Sequence, residues 1–126
     1  MAVPKGRSRR KPTGGLYRPH HKRKKRELGR YPTLTTIGPT KRKVERVFGG
    51  NQKVRLVQDE YVNVEVEKGK VQRTKILRLI ENPSNREFNK KKIITKGAIV
   101  ETELGKVVIT SRPGQHGVLN GRLVKE

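Results

Sequence analysis

Tyr61-Val62-Asn63-Val64-Glu65-Val66-Glu67 alternates strictly between polar and apolar side chains after its first residue. In an extended chain, successive side chains point to opposite faces. Val62, Val64 and Val66 therefore share one face, expected to lie on a core, and Asn63, Glu65 and Glu67 share the other. Lys68-Gly69-Lys70 reads as a hairpin turn into a second strand, Val71 to Ile80. A helix over Ile76–Glu81 is the competing reading, and its β-branched content argues against it.

The same pattern continues on both sides. Upstream, Val44, Arg46 and Phe48 stand on one face of an extended segment and Glu45 and Val47 on the other. Gly49-Gly50-Asn51 is a turn signal, and Lys53 to Val57 is a strand that Asp59-Glu60 ends. Downstream, Asn82-Pro83-Ser84-Asn85 is a turn. Short strands are predicted at Ile93-Ile94, Ile99-Val100 and Val107 to Thr110, divided by Gly97 and Gly105. Pro113-Gly114 and Asn120-Gly121 are further turn pairs, with Val118-Leu119 between them. Many short strands with regular glycine punctuation point to an all-β fold, a small, strongly twisted barrel. No internal repeat interrupts the pattern.

The chain has 126 residues, a length that fits one folded domain, and only 30% are hydrophobic, so the core is small. It carries 32 Lys and Arg against 11 Asp and Glu, a formal net charge of +21. Charges of one sign at this density repel and destabilise a compact state. A polyanion relieves that repulsion, and nucleic acid is the commonest such partner. The charge is uneven. Residues 1–43 hold 15 Lys and Arg against Glu27 alone, a net +14, and residues 44–126 hold 17 against ten acids, a net +7. Apolar residues divide the other way, 9 against 29. The expected organisation is a long basic, largely irregular N-terminal arm over residues 1–43 and a small β-barrel domain over residues 44–126.

There is no cysteine, which excludes disulfides and thiolate metal sites. No apolar run approaches the roughly 18 residues of a membrane span, and the basic N-terminus lacks the apolar stretch of a secretory signal. The protein is expected to be soluble and intracellular, with no membrane partner and no small-molecule substrate.

Catalysis finds little support. A nucleophilic triad needs a hydroxyl or thiol beside a base and an orienting acid. The histidines are His20, His21 and His116, and the single aspartate, Asp59, sits at a predicted turn. Adjacent His20 and His21 do not have the spacing that puts two imidazoles on one helix face to bind metal. Gly14-Gly15 and Gly49-Gly50 lack the Lys-Ser/Thr that completes a nucleotide phosphate loop, and read as tight turns. No enzyme activity, cofactor or metal is expected.

The basic runs carry the functional signal. Lys5-Gly6-Arg7-Ser8-Arg9-Arg10-Lys11 precedes Pro12-Thr13-Gly14-Gly15, a stretch punctuated too often for a stable fold of its own. His20-His21-Lys22-Arg23-Lys24-Lys25-Arg26 follows Pro19, which is able to open a helical turn that Gly29 closes. Free in water such a helix frays, because phosphates are needed to order it. Tyr17, Pro19, Leu28 and Tyr31 give these runs shape that a simple solvated lysine tail does not need. Arg binds phosphate bidentately, and Arg and Tyr stack on unpaired bases. Arg73-Thr74-Lys75, Lys90-Lys91-Lys92 and Arg112 suggest a second basic surface, although the lysine triplet also reads as a solvated loop.

Several segments, in order, resemble the small-subunit ribosomal protein S8e family of archaea and eukaryotes. They are Arg9-Arg10-Lys11-Pro12-Thr13-Gly14-Gly15, Lys24-Lys25-Arg26-Glu27-Leu28-Gly29-Arg30, Thr36-Ile37-Gly38 and Gly49-Gly50-Asn51-Gln52-Lys53-Val54-Arg55. Lys75-Ile76-Leu77-Arg78, Glu81-Asn82-Pro83-Ser84-Asn85 and Ile94-Thr95-Lys96-Gly97-Ala98-Ile99-Val100-Glu101-Thr102 complete the set. Ser111-Arg112-Pro113-Gly114-Gln115-His116-Gly117 and the short length are similar to the archaeal form. The resemblance implies a small barrel bound to small-subunit ribosomal RNA beside neighbouring ribosomal proteins, in the cytoplasm, with the arm threaded into that RNA. Phe48 and Gln58 depart from the family pattern, so no contact is carried over to either.

The residues expected to contact RNA are Arg7, Arg9, Arg10, Lys11, Arg18, His20, His21, Lys22, Arg23, Lys24, Lys25, Arg26, Arg30, Lys53, Arg55 and Arg73. A DNA-compacting chromatin protein shares this composition and is the alternative. An RNA-processing accessory enzyme would need a convergent acid and base, which the sequence does not offer.

Overall fold

The alternating valines of residues 61–67 form one stave of a closed barrel in a computed structural model that describes residues 3–124. In chain order the elements are β1 (Val3–Pro4), β2 (Leu28–Gly29), β3 (Thr35–Ile37), β4 (Lys41–Arg46), β5 (Gln52–Asp59), β6 (Tyr61–Glu67) and β7 (Lys70–Glu81). Then come α1 (Arg86–Lys90), β8 (Ile93–Ile94), β9 (Ile99–Thr102), β10 (Gly105–Ile109), α2 (Pro113–His116) and β11 (Asn120–Leu123). Single 3-10 turns lie at Lys25–Glu27 and Phe48–Gly50. The chain forms two units, divided between Pro32 and Thr33.

In the second unit the barrel order is β10-β11-β6-β7-β9, with β9 returning to β10. All of its pairs are antiparallel except β11 on β6. β7 is 12 residues long and serves two neighbours. Its first half, to Lys75, pairs with β6, and Ile76–Glu81 pairs with β9. Register shifts at Ile76/Arg78 and Leu79/Glu81 accompany the second pairing. Such irregularities bend a strand and increase its twist, which a five-stranded barrel needs in order to close. The segment Ile76–Glu81 is thus strand, not helix. A four-stranded sheet, β4-β5-β3-β8, completes the unit, with β3 parallel to β5. β5 runs through Glu60 directly into β6, so one continuous stretch of chain belongs to both sheets. Residues 33–43, grouped by charge with the basic arm, supply β3 and the first half of β4.

The core gathers Leu56, Val62, Val64, Ile76, Ile94, Ala98, Val100, Val107, Ile109 and Leu119. Val66 does not join it. The register shifts between Glu65 and Glu67, and Val66 turns out to 40% exposure. A local bulge therefore ends the inward alternation one valine early.

Buried polar groups tie the connections down. Asn82 donates from Nδ2 to the Ile93 carbonyl at 2.8 Å. Its Oδ1 accepts from the Ser84 N–H and the Thr95 hydroxyl, each at 3.1 Å, and its own N–H reaches Asn89 Oδ1. One buried amide thus fixes the end of β7, α1 and β8 together. Asn85 caps α1 by accepting from the Glu87 N–H at 2.9 Å, an N-cap arrangement that the reading of residues 82–85 as a simple turn did not include. α2 begins with Pro113 in its first turn, where a missing N–H is harmless.

β11 crosses β10 at Gly121, opposite Ile109. A Cβ at residue 121 would lie 2.4 Å from Val107 Cγ1 and 2.8 Å from the Val108 carbonyl oxygen. The second atom is backbone and has little room to yield. Gly121→Ala should therefore cost about 2 kcal/mol or more of overpacking. Urea unfolding of the purified protein measures this, and an unchanged midpoint would show that the close approach is not a constraint.

The first unit is built from local contacts. Pro12-Thr13-Gly14 closes a hairpin in which the Gly14 N–H donates to the Lys11 carbonyl at 2.9 Å, and the Lys11 N–H to Gly15 at 2.7 Å. Tyr17 N–H returns to Arg9 at 2.8 Å, and Arg10 bridges Leu16. Gly14 has φ +86, the left-handed conformation that follows a type I turn in a three-residue hairpin loop. The helix expected over the second basic run is reduced to the Lys25–Glu27 turn. Consecutive cations at helical spacing repel, and without counter-charge they do not hold a longer helix.

Candidate nucleic-acid interface

From Lys5 to Leu28 every residue of the first unit is exposed except Glu27, which is partly covered. The hairpin brings Arg7 over the Tyr17 ring, with Cζ 4.5 Å from its centroid, and Lys11 Nζ stands 5.6 Å from the same centroid. An aromatic face holding a guanidinium keeps the cation's edge donors available. Arg7, Arg9, Arg18, His20, His21 and Arg23 line one recess of about 250 Å³. Its single acidic wall is Glu27. Converging cations of this kind suit an anionic group such as phosphate.

Glu27 organises the second basic run. Its Oε2 accepts from the Lys24 N–H at 2.9 Å and its Oε1 lies 3.1 Å from His21 Nε2. The Glu27 carbonyl also accepts from the Lys5 N–H at 2.8 Å. The Lys24 N–H foremost, and then His21, hold the Glu27 carboxyl below the usual carboxylate range. Lys22, Lys24, Lys25, Arg26 and Arg30 are exposed along the same stretch, and Arg10 Nη1 donates to the Gly14 carbonyl at 2.9 Å.

The second unit treats its charge differently. Glu60 lies 3.7 Å from Lys75, Glu65 2.8 Å from Arg122, Glu67 2.8 Å from Lys70 and Glu87 3.1 Å from Lys90, and Glu101 pairs with Arg78. Exposed pairs of this sort add little stability, but they cancel field locally. Arg55, one of the expected contacts, has a side chain only 15% exposed, with Nε 2.7 Å from Glu45 Oε2. That approach is a charge contact without the alignment of a hydrogen bond. Lys53 is exposed and reaches Gln115 Oε1 at 2.9 Å. Arg73 stacks on Tyr61, with Cζ 4.4 Å from the ring centroid, beside a small cleft of about 150 Å³ that Arg42, Asp59 and Asn63 also line.

The sequence reading did not single out Lys41, Arg42, Lys43 and Arg46 as a surface. All four are exposed on β4. The signal was present: Lys41-Arg42-Lys43-Val44-Glu45-Arg46 has no small or turn-forming residue, and an extended chain places Lys41 and Lys43 on one face and Arg42 and Arg46 on the other. Among the described residues no cluster of three or more His, Asp and Glu is placed to hold a metal ion, and no helix is long and apolar enough to cross a membrane.

A small barrel most of whose acids stand beside cations, joined in sequence to a segment rich in exposed cations, defines a strongly basic structural protein rather than one built around a reaction centre. A family model described as Ribosomal protein S8e matches residues 4–124, and the chain belongs to that family, which is structural and not enzymatic. It is similar to the small ribosomal subunit protein eS8 of Nanoarchaeum equitans, 56% identical over 99% of this chain and 100% of the relative. It is also similar to the proteins of the same name from Staphylothermus marinus, 52% identical over all of both chains, and Methanospirillum hungatei, 46% identical over 95% of this chain and 97% of the relative.

The lowered Glu27 pKa fixes a sign. The ionised carboxylate is favoured in the closed Lys24–Glu27 turn, so the turn is fully stabilised above the ordinary Glu range and loses that contribution as pH falls through the lowered value. An NMR titration should show the Lys24 amide resonance moving with the Glu27 carboxyl. A Glu27→Gln variant should abolish that movement.

Proposed function

We propose that this protein is a structural constituent of the small ribosomal subunit that binds and stabilises small-subunit ribosomal RNA, working in the cytoplasm within the ribosome. The observation that carries the reading is the charge distribution: the second unit sets most of its acids beside cations, whereas residues 5–28 expose cations around a single acid. The names of the relatives support the ribosomal setting.

The mechanism is counter-charge combined with shape. Residues 1–43 act as a basic arm that neutralises phosphates where RNA helices approach each other, lowering their repulsion. The recess lined by Arg7, Arg9, Arg18 and Arg23 takes a backbone phosphate. Exposed Lys22, Lys24, Lys25 and Arg26 supply further neutralisation, and the barrel over residues 44–126 fixes the register of the arm. Ordering of the arm accompanies binding, so part of the interaction free energy goes into that ordering. Neighbouring small-subunit proteins are the remaining partners.

Two measurements test this. Sedimentation of a lysate, at low salt and after a high-salt wash, should leave the protein in the small-subunit peak both times. Absence from that peak in both conditions would refute the assignment and favour DNA compaction. Replacing Arg9, Arg10 and Arg23 together by Glu should weaken binding to purified small-subunit RNA and reduce the salt dependence of log affinity by about three phosphate contacts. Unchanged affinity and incorporation would remove the arm from the interface.

A further inference from the structure

Phe48 is 96% exposed, more than any other large apolar residue described. It does not sit on a loose loop. The Val47 N–H donates to the Asn51 carbonyl at 2.7 Å, and Asn51 Nδ2 donates to the Phe48 carbonyl at 3.4 Å. Gly49 and Gly50 both have φ +75, a conformation that side-chain-bearing residues rarely adopt, and they fold the tip into one 3-10 turn. Behind the tip, β4 and β5 pair without a break from Arg42↔Leu56 to Arg46↔Gln52. The ring is thus presented at the end of a defined two-stranded ribbon.

That ribbon is basic. Lys41, Arg42, Lys43, Arg46 and Lys53 are exposed along it, and the one carboxylate between Arg42 and Leu56, Glu45, is held between Lys43 at 3.0 Å and Arg55 at 2.7 Å. A partner fitting both features must offer closely spaced anions and a flat apolar face together. An apolar pocket on a protein meets the ring but gives no use to the cations. A fully stacked duplex meets the cations but hides its base faces. Single-stranded or bulged RNA has both, because its phosphates flank bases whose faces are open.

We propose that the β4–β5 ribbon is a second RNA-binding element, with Phe48 stacking on an unpaired base while the ribbon cations engage the flanking phosphates. This rests on the RNA-binding function proposed above and adds a contact outside the first unit. The ring supplies sequence-tolerant affinity, since every base has a π face.

The chain has no Trp, so Phe48→Trp places a single indole reporter at the tip, and the exposure of residue 48 leaves the core untouched. Titrating the full-length F48W protein with purified small-subunit RNA should quench the indole emission, as stacking on a base does. Phe48→Ala and Phe48→Leu should each weaken binding about tenfold, while F48W keeps the affinity of the parent. Unchanged emission together with equal affinity of all four proteins would overturn the proposal while leaving RNA binding through the arm intact. Loss of RNA binding by the parent itself would instead overturn the function on which the proposal rests. A blue-shifted emission seen only in assembled subunits, with no response to RNA alone, would assign the ring to a protein neighbour and overturn it as well.

Discussion

The barrel depends on the absence of one methyl group. β11 must lie antiparallel to β10 and parallel to β6 at once, and at residue 121 the space between strands is already filled by Val107 and the Val108 backbone. Glycine alone lets the last strand approach closely enough to join both neighbours. Once it does, Val64, Val107, Ile109 and Leu119 lose their solvent-facing side together. A chain that is only 30% hydrophobic has few other apolar groups with which to build a core. Closure therefore matters more here than in a larger protein, where an imperfect strand is offset by the rest of the interior.

Electrostatics divides the labour between the two units. In the second, carboxylates on β5–β6, β6, β9 and α1 stand beside cations from neighbouring positions, so part of the unit's positive charge is cancelled locally. In the first, the one acid is committed to backbone and His21, and the surrounding cations keep their field. Self-repulsion is thus lower per residue in the second unit, and the greatest repulsive density is placed where a polyanion relieves it. The β4–β5 ribbon belongs to the folded unit but carries exposed cations, which makes it the exception within that unit.

The all-β barrel was legible because its staves are written in valine alternation and glycine punctuation. Val62 and Val64 fell where period two puts them, and Gly69 turned the β6–β7 hairpin as expected. Local signals fail where the outcome is set by distant chain. Val66 leaves the core because of a bulge, and nothing within residues 61–67 announces it. The parallel pairing of β11 with β6 joins residues more than fifty positions apart, beyond any local pattern. α1 and α2 are single turns held by Asn85 and Pro113, residues that read equally well as turn formers. The basic blocks were visible as charge, but which cations meet was not. The recess needs the hairpin at Pro12-Thr13-Gly14 to fold Arg7 and Arg9 back toward Arg18, and the enclosure of Arg55 needs the register that sets Glu45 beside it.

The placement of β11 also sets a timetable. Ribosomes deliver a chain from its N-terminus, and β6 waits through more than fifty residues for the partner that completes its outer edge. Until residues 120–123 emerge, the strands already made form an open sheet with two free rims, and its valines remain accessible to water and to other chains. The hairpin at residues 9–17 has no such wait, because each of its bonds closes over a few residues. The segment richest in charge is therefore available to a polyanion early, while the apolar part is still incomplete. A slow, non-local closure is in this way preceded by the release of the most soluble part of the molecule, which holds nascent chains apart during the interval when they are most prone to associate.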